Sequence, residues 1–241
     1  MAIYNPHDTK PFKLSRSKVE LYMNCPRCFY LDRRLKVGQP PGFPFNLNSA
    51  VDSLLKNEFD FYRQNKEPHP YMIEMGIDAI PYQDERLDTW RRNFTGVSYL
   101  HPGTNFHLFG AVDDLWIDNK TGEIIVVDYK ATSKAGEITI NEPWQAGYRR
   151  QMEFYQWLLR QNGLKVSNKG WFVYCNGIKE GTFNNQLDFN VTLLDYDGNT
   201  DWIELTIQDI KKCLDIEDIP NMENDCDFCV YANAYQSVFN T

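Results

Sequence analysis

A chain of 241 residues can bury a sizeable core, and one domain over 1–241 with elaborations is the simplest expectation. A formal net charge of −8 excludes a protein whose whole surface binds nucleic acid, but it allows a local basic groove. No apolar run approaches the ~20 residues of a membrane span, and the N-terminus lacks the pattern of a secretory signal. We therefore expect a cytoplasmic protein with no membrane partner.

The first predicted elements are helical. Ser17 and Glu20 match a capping box, which predicts that a helix begins there. Cys25-Pro26 interrupts its apolar pattern, which then resumes, so the cysteine-bearing N-terminal segment spans about 17–31. A second helix is predicted over about 47–64, where apolar residues recur at helical spacing.

The middle of the chain changes from helical to strand-like patterns. Residues 65–100 are expected to form a helical elaboration, with a polar helix over 83–94. From 106 to about 131 the pattern predicts strands, and a long amphipathic helix follows over about 143–162. The last predicted elements are strands near 171–175 and 189–196, a helix over about 203–214 and a cysteine-bearing segment over 220–235. These elements predict a mixed α/β fold, with a central sheet flanked by helices.

One predicted hairpin carries an unusual set of charges. With a turn centred on Lys120-Thr121, Asp113 lies directly opposite Asp128, and the two-residue period places Lys130 on the same face. Directly opposed carboxylates repel each other, and a divalent cation between them removes that repulsion. Asp114 would point to the other face, where we expect a surface residue.

The alternative for this hairpin is a surface element with a solvated Asp128–Lys130 pair. The apolar run Ile124–Val127 favours a central strand that is buried on both faces. A charge buried there needs a partner. The sequence therefore favours a Mg²⁺ or Mn²⁺ site, in which Lys130 supplies a point charge near the attacking water or the phosphate.

Three motifs, in this order, resemble a known family: Gly110–Asp113, Val127–Lys130 and Gln151–Tyr155. They resemble the PD-(D/E)XK nuclease superfamily, and most closely its RecB-like branch, which includes CRISPR-associated exonucleases. The resemblance extends to the segments around Cys25-Pro26 and Cys226–Cys229. It implies a restriction-endonuclease-like core.

The resemblance also implies roles for particular residues. These are metal binding by the carboxylates of Asp113 and Asp128 and by the backbone carbonyl of Tyr129, catalysis by Lys130, and lining of the site by Gln151 and Tyr155. The last two lie on one face of a helix, a spacing that by itself favours ordinary core packing plus one polar residue.

The chain departs from the family pattern in the early helix. Family members usually carry a histidine there, in a Gly-x-x-x-His setting, whereas the matching stretch here runs from Asn48 to Asp52. Asp52 is a hard oxygen donor that could be a third metal ligand. It could equally be a polar helix residue beside an altered site, and the sequence leaves both open.

Six cysteines are present, and without a secretory signal disulfides explain them poorly. Four form two Cys-x-x-Cys pairs: Cys25, Cys28, Cys226 and Cys229. In iron–sulfur members of the family one cysteine precedes the nuclease core and three follow it. The last of those positions is Tyr235 here, so Cys28 would compensate.

Four thiolates suit either a [4Fe–4S] cluster or structural Zn²⁺, and either would join the two terminal segments. The alternative is two pairs of unrelated buried thiols. Cys175 and Cys213 are expected to be core residues.

The function predicted from these features is metal-dependent hydrolysis of DNA phosphodiesters, exonuclease-like, on single-stranded or end-containing DNA. Four aromatic residues are candidates for base stacking or for the core: Tyr22, Tyr30, Trp144 and Tyr148. One alternative is an inactive nucleic-acid-binding or scaffold protein with the same fold. Another is a nuclease subunit that requires a helicase or a CRISPR or repair partner protein.

Overall fold

The computed structural model describes residues 3–239, which form two compact units. The first unit contains the described residues up to Phe43, residues 98–109 and the described residues from Asp201 on. The second unit contains Pro44–Val97 and Gly110–Thr200. None of the described helices is both long enough and apolar enough to span a membrane.

The helices of the described chain are α1 (Arg16–Asn24), α2 (Pro26–Arg34), α3 (Asn46–Asn65), α4 (Pro70–Glu74), α5 (Leu87–Trp90), α6 (Ala146–Gln161), α7 (Trp202–Asp215) and α8 (Asp227–Phe239). Its strands are β1 (Phe12–Ser15), β2 (Ala79–Pro81), β3 (Val97–His101), β4 (Phe106–Gly110), β5 (Asp114–Asp118), β6 (Ile124–Thr132), β7 (Lys169–Gly177) and β8 (Phe189–Asp197). A 3₁₀ turn, Pro143–Gln145, precedes α6.

In the first unit, α1 and α2 meet at Cys25. This residue is extended and caps α2, and Pro26 occupies the first helical turn, where its missing N–H is no loss. The predicted capping box is wrong. α1 begins after Ser15, which makes no side-chain cap hydrogen bond, and Ser17 lies inside the helix. The hydroxyl of Ser17 is within 2.9 Å of the Ser15 hydroxyl.

The second unit is built on a mixed sheet with the strand order β2-β5-β6-β7-β8 in the described chain. β6 and β7 are parallel, and α6 connects them, whereas β2, β5 and β8 pair antiparallel with their neighbours. β6 lies in the middle and is buried over its first six residues, as the apolar run predicted. The predicted mixed α/β class is confirmed.

The hairpin of β5 and β6 has the predicted register. Asp114 pairs with Val127 and Ile117 with Ile124, so the same register places Asp113 opposite Asp128, one residue before β5 begins. At the turn, the Asp118 carboxylate accepts hydrogen bonds from the N–H groups of Lys120 and Thr121.

Residues 65–100 are not the helical elaboration that their sequence suggested. β2 lies there and extends the central sheet by pairing with β5, and β3 begins at Val97. The helix predicted over 83–94 is reduced to the single turn of α5. Before it, the Asp84 carboxylate accepts hydrogen bonds from Arg86, an arrangement typical of a turn.

α3 packs on the central sheet through Val51, Leu55 and Phe59. These side chains form one core with the inward face of β5 and β6, including Trp116 and Tyr129. This packing fixes the N-terminal half of α3, and with it Asp52, beside the strands of the hairpin.

Candidate active site and cysteine cluster

The first group of candidate site residues lies between α3 and the start of β5. Asp52 forms an ion pair with Lys56 one helical turn later, with Nζ 2.8 Å from its Oδ2. Lys56 Nζ is also 3.6 Å from Oδ1 of Asp113. A positive group thus lies between two carboxylates from separate elements, as expected where a site is shaped for a cation.

The pKa of Asp52 reflects this crowding. Burial raises it above the usual value of an aspartate, and the nearby Asp113 carboxylate raises it further, while Lys56 opposes both effects. Asp52 is therefore more than a solvated helix residue, because its charge interacts directly with a predicted metal ligand.

The second group lies on β6. Asp128 is fully buried and forms an ion pair with Lys130. The ammonium of Lys130 also lies 4.6 Å from the centre of the Tyr148 ring on α6. Tyr129 lies between Asp128 and Lys130 in the sequence, and its backbone N–H donates a 3.0 Å hydrogen bond to Oδ2 of Asp113. Asp113 is thus held against the backbone next to Asp128.

A groove of about 610 Å³ is lined by residues from both groups. Asp52 and Lys130 both line it, together with Tyr129, Tyr148 and Trp144. Side chains from α3, β6 and the start of α6 therefore face one cavity, although they are nearly a hundred residues apart in sequence.

Gln151 and Tyr155 lie together on α6, as their spacing predicted. The Gln151 amide donates a 3.2 Å hydrogen bond to the Tyr155 hydroxyl. Within residues 3–239, neither is among the residues that line the groove. Their side chains form a polar pair on the helix that also carries Tyr148.

A comparison with protein-family models decides the family. The model of the PD-(D/E)XK nuclease superfamily matches residues 13–234. The chain belongs to this superfamily. This match covers both the carboxylate groups and the cysteine pairs of the chain.

Comparison with solved structures gives a more distant likeness. A chain in a structure titled "Crystal structure of SSO0001" is 14% identical to this protein, with a TM-score of 0.42. The alignment covers 94% of this protein and 87% of that chain. No curated protein matches the sequence.

Asp114 is not the surface residue that the sequence suggested. It does point to the opposite face from Asp128, but α3 covers that face, and Asp114 is fully buried. Its carboxylate pairs with Arg63 and with Arg91, whose Nη2 is 2.7 Å away. It also accepts a 2.7 Å hydrogen bond from the Tyr129 hydroxyl.

This buried network combines opposite charges with one neutral hydrogen-bond donor. Burial raises the pKa of Tyr129 well above its usual value, and Asp114 adds to the shift, so the phenol is a neutral donor. Burial opposes the charge of Arg91, but Asp114 and Asp60 raise its pKa above the usual value. Two cations thus surround Asp114, and Asp60 pairs with both of them.

Sequence reasoning missed Lys56, Arg63 and Arg91. A signal for Lys56 was present, because it follows Asp52 by four residues on a predicted helix. Arg91 lies in a cluster of basic residues, and such clusters are more often part of a solvated surface. Arg63 is an isolated arginine near the end of α3.

Of the four aromatic candidates for stacking, two line the groove. Trp144 is 63% exposed and packs edge-to-face on Tyr148, with ring centres 5.9 Å apart. Tyr30 is a core residue whose hydroxyl donates to the backbone carbonyls of Ile216 and Glu217. Tyr22 packs edge-to-face against Phe29 within the first unit.

The two Cys-x-x-Cys pairs converge in the first unit, as predicted. Cys25 and Cys28 lie at the start of α2, and Cys226 and Cys229 lie at the start of α8. Their four sulfur atoms are all within 4.8 Å of one another, and the cysteines are free. Cys175 and Cys213 are buried elsewhere, as expected of core residues.

Proposed function

We propose that this protein is a metal-dependent nuclease that hydrolyses DNA phosphodiesters. The observation that carries the proposal is the groove lined by both Asp52 and Lys130, with Asp113 held beside the buried Asp128. Three neighbouring carboxylates and a lysine are the groups that such a reaction requires.

We assign the metal site to the carboxylates of Asp52, Asp113 and Asp128 and the backbone carbonyl of Tyr129. The donors fit Mg²⁺ or Mn²⁺ because all are oxygen atoms, and because a cation, the Lys56 ammonium, already lies between two of them. When bound, such a metal activates water and stabilises charge on the phosphate.

The chain's own residues supply orientation and charge. Lys130 is held by the Asp128 carboxylate and the Tyr148 ring, and both attract its ammonium group. We therefore assign it the role of a positive charge that attracts the scissile phosphate and the attacking water. Gln151 and Tyr155, which are hydrogen-bonded to each other on α6, are proposed to help position the substrate beside Lys130.

Within the superfamily we propose the RecB-like branch, which includes CRISPR-associated exonucleases. The order of the Cys25-Pro26 segment, the two carboxylate motifs, the Gln151–Tyr155 helix and the second cysteine pair supports this assignment. We also propose that both units belong to one nuclease domain, since the family match spans residues of each.

The direct test is cleavage of end-labelled single-stranded and double-stranded DNA by the purified protein, with added Mg²⁺ or Mn²⁺. We expect shortening from an end that stops when EDTA is added. Binding to DNA without cleavage in either metal would support the scaffold alternative. Cleavage only after a helicase or repair partner is added would support a partner-dependent subunit.

Lys56 is expected to weaken metal binding, because its charge lies beside two of the ligands. In Lys56→Met, the affinity for Mn²⁺ should rise by about tenfold, since the change removes a positive charge that lies 2.8 Å from Oδ2 of Asp52 and 3.6 Å from Oδ1 of Asp113. Titration of Mn²⁺ followed by electron paramagnetic resonance measures this. Lys212→Met removes an exposed lysine paired with Asp209 and serves as the control. Equal Mn²⁺ affinity in Lys56→Met and in the unmodified protein would contradict the assignment.

The groove also favours an unpaired strand as substrate. Trp144 presents an exposed ring in the groove that Lys130 also lines, so a base can stack on it while the phosphate approaches the ammonium. Ser133 also lines the groove, and its carbonyl accepts a hydrogen bond from the exposed Lys179. Lys179 thus adds positive charge near the groove for the backbone of the nucleic acid. Bases paired in a duplex cannot stack in this way.

Trp144→Ala is expected to weaken binding of single-stranded DNA about tenfold, since stacking of one base contributes roughly 1–3 kcal/mol. Duplex binding should change little. Fluorescence anisotropy with labelled oligonucleotides, in Ca²⁺ to prevent cleavage, measures both. Phe94→Ala is the control, because Phe94 is an 85% exposed aromatic in the same unit that does not line the groove. A similar loss of single-strand binding in both variants would contradict a stacking role for Trp144.

A further inference from the structure

The separations of the four cysteine sulfurs restrict which metal they can hold. Sγ of Cys25 lies 3.7 Å from that of Cys229, and Sγ of Cys28 lies 3.6 Å from that of Cys226 and 3.5 Å from that of Cys229. These distances are far longer than a disulfide bond of about 2.05 Å. All the sulfur–sulfur separations are within 4.8 Å, as expected of four ligands around one centre.

A single tetrahedral ion predicts this spacing. With Zn–S bonds of about 2.3 Å, sulfurs at the corners of a tetrahedron are about 3.8 Å apart. In a [4Fe–4S] cluster each cysteine binds a different iron, so the iron atoms and their bridging sulfides separate the thiolates much more widely. The iron–sulfur cluster implied by the family resemblance therefore does not fit these four cysteines.

We propose that Cys25, Cys28, Cys226 and Cys229 bind one structural Zn²⁺ ion and not an iron–sulfur cluster. All four coordination positions are then filled by protein thiolates, as in closed structural zinc sites, and the thiol protons are released to solvent on binding. The backbone N–H of Cys28 lies 3.4 Å from Sγ of Cys25 and donates to it, which orients this ligand at the start of α2.

The packing of α8 indicates why an ion is needed. Cys229 is the one side chain of this helix that the described structure buries. Large apolar residues elsewhere on it are exposed, among them Tyr231 and Phe239. Hydrophobic burial therefore contributes little to holding α8 in place. A metal bound to Cys226 and Cys229 would anchor its first turn to α2.

Metal analysis of the full chain tests this proposal. The protein is produced in medium containing both iron and zinc and purified without oxygen, so that a cluster would survive. We expect about one zinc ion per chain, no acid-labile sulfide and a colourless protein. Brown protein with iron and sulfide would overturn the proposal, as would a protein that neither contains nor takes up zinc. Metal content is independent of whether DNA is cleaved.

Three variants and limited proteolysis distinguish a structural zinc ion from zinc bound adventitiously at the surface. Cys226→His should keep its zinc, because structural zinc sites accept three cysteines and a histidine. Cys28→Ser should lose it, whereas Cys213→Ser, which changes a buried cysteine of the same unit outside the cluster, should not. Removing zinc with a chelator should make α8 sensitive to limited proteolysis. Unchanged protection of α8 after zinc removal would overturn the structural role.

Discussion

Replacing Asp128 by asparagine is expected to reduce DNA cleavage by about 10³-fold or more at saturating Mn²⁺. The substitution keeps the shape of the side chain but removes a buried negative charge. Preorganised charges in such sites commonly account for 10²–10³-fold in rate each, and Asp128 is proposed to act both as a metal ligand and as the partner of Lys130. The affinity for Mn²⁺ should fall together with the rate.

Asp195→Asn is the matched control for this variant. Like Asp128, Asp195 forms an ion pair with a lysine. Its partner is Lys169 on the neighbouring strand, at 2.6 Å, and both side chains are about half exposed. Exposed pairs of this kind contribute little to stability, so this variant should be as stable and active as the unmodified protein. Asp128→Asn that is folded by circular dichroism and cleaves within threefold of the unmodified rate would contradict the proposed active site.

The sequence predicted most of the hairpin because two simple patterns agree there. The two-residue period of β-strands and a tight turn together specify which residues face each other, and the observed pairing of Asp114 with Val127 follows them. The apolar run before Asp128 likewise predicted a central strand. Local patterns were sufficient for these features because each depends on residues close in sequence.

The residues that the sequence missed depend on tertiary packing. The alternation placed Asp114 on the other face from Asp128, but it could not show that α3 covers that face. Arg63 and Arg91 reach Asp114 from segments 51 and 23 residues away, and nothing in their local sequence distinguishes them from solvated arginines. Likewise, β2 is too short for its period to be recognised, and it is a strand because β5 offers it an edge.

The neighbours Asp113 and Asp114 should therefore give opposite results when each is replaced by asparagine. Asp114→Asn leaves two buried arginines without the carboxylate that neutralises them, and breaking a buried ion pair in this way costs about 3–5 kcal/mol. Asp113 is partly exposed, and asparagine can still accept the hydrogen bond from Tyr129, so its free energy of unfolding should change by about 1 kcal/mol or less.

The DNA-cleavage activities of these two variants should rank in the opposite order to their stabilities. Asp113→Asn should bind Mn²⁺ weakly and lose nearly all cleavage while remaining folded, because it removes one of the proposed metal ligands. Asp114→Asn should retain activity in the fraction that stays folded at low temperature, since its carboxylate faces Arg63 and Arg91 and not the groove. Urea unfolding curves and cleavage rates for both variants measure this. If Asp113→Asn proved the less stable of the two, or Asp114→Asn the less active when folded, then the division between a catalytic and a structural carboxylate would be wrong.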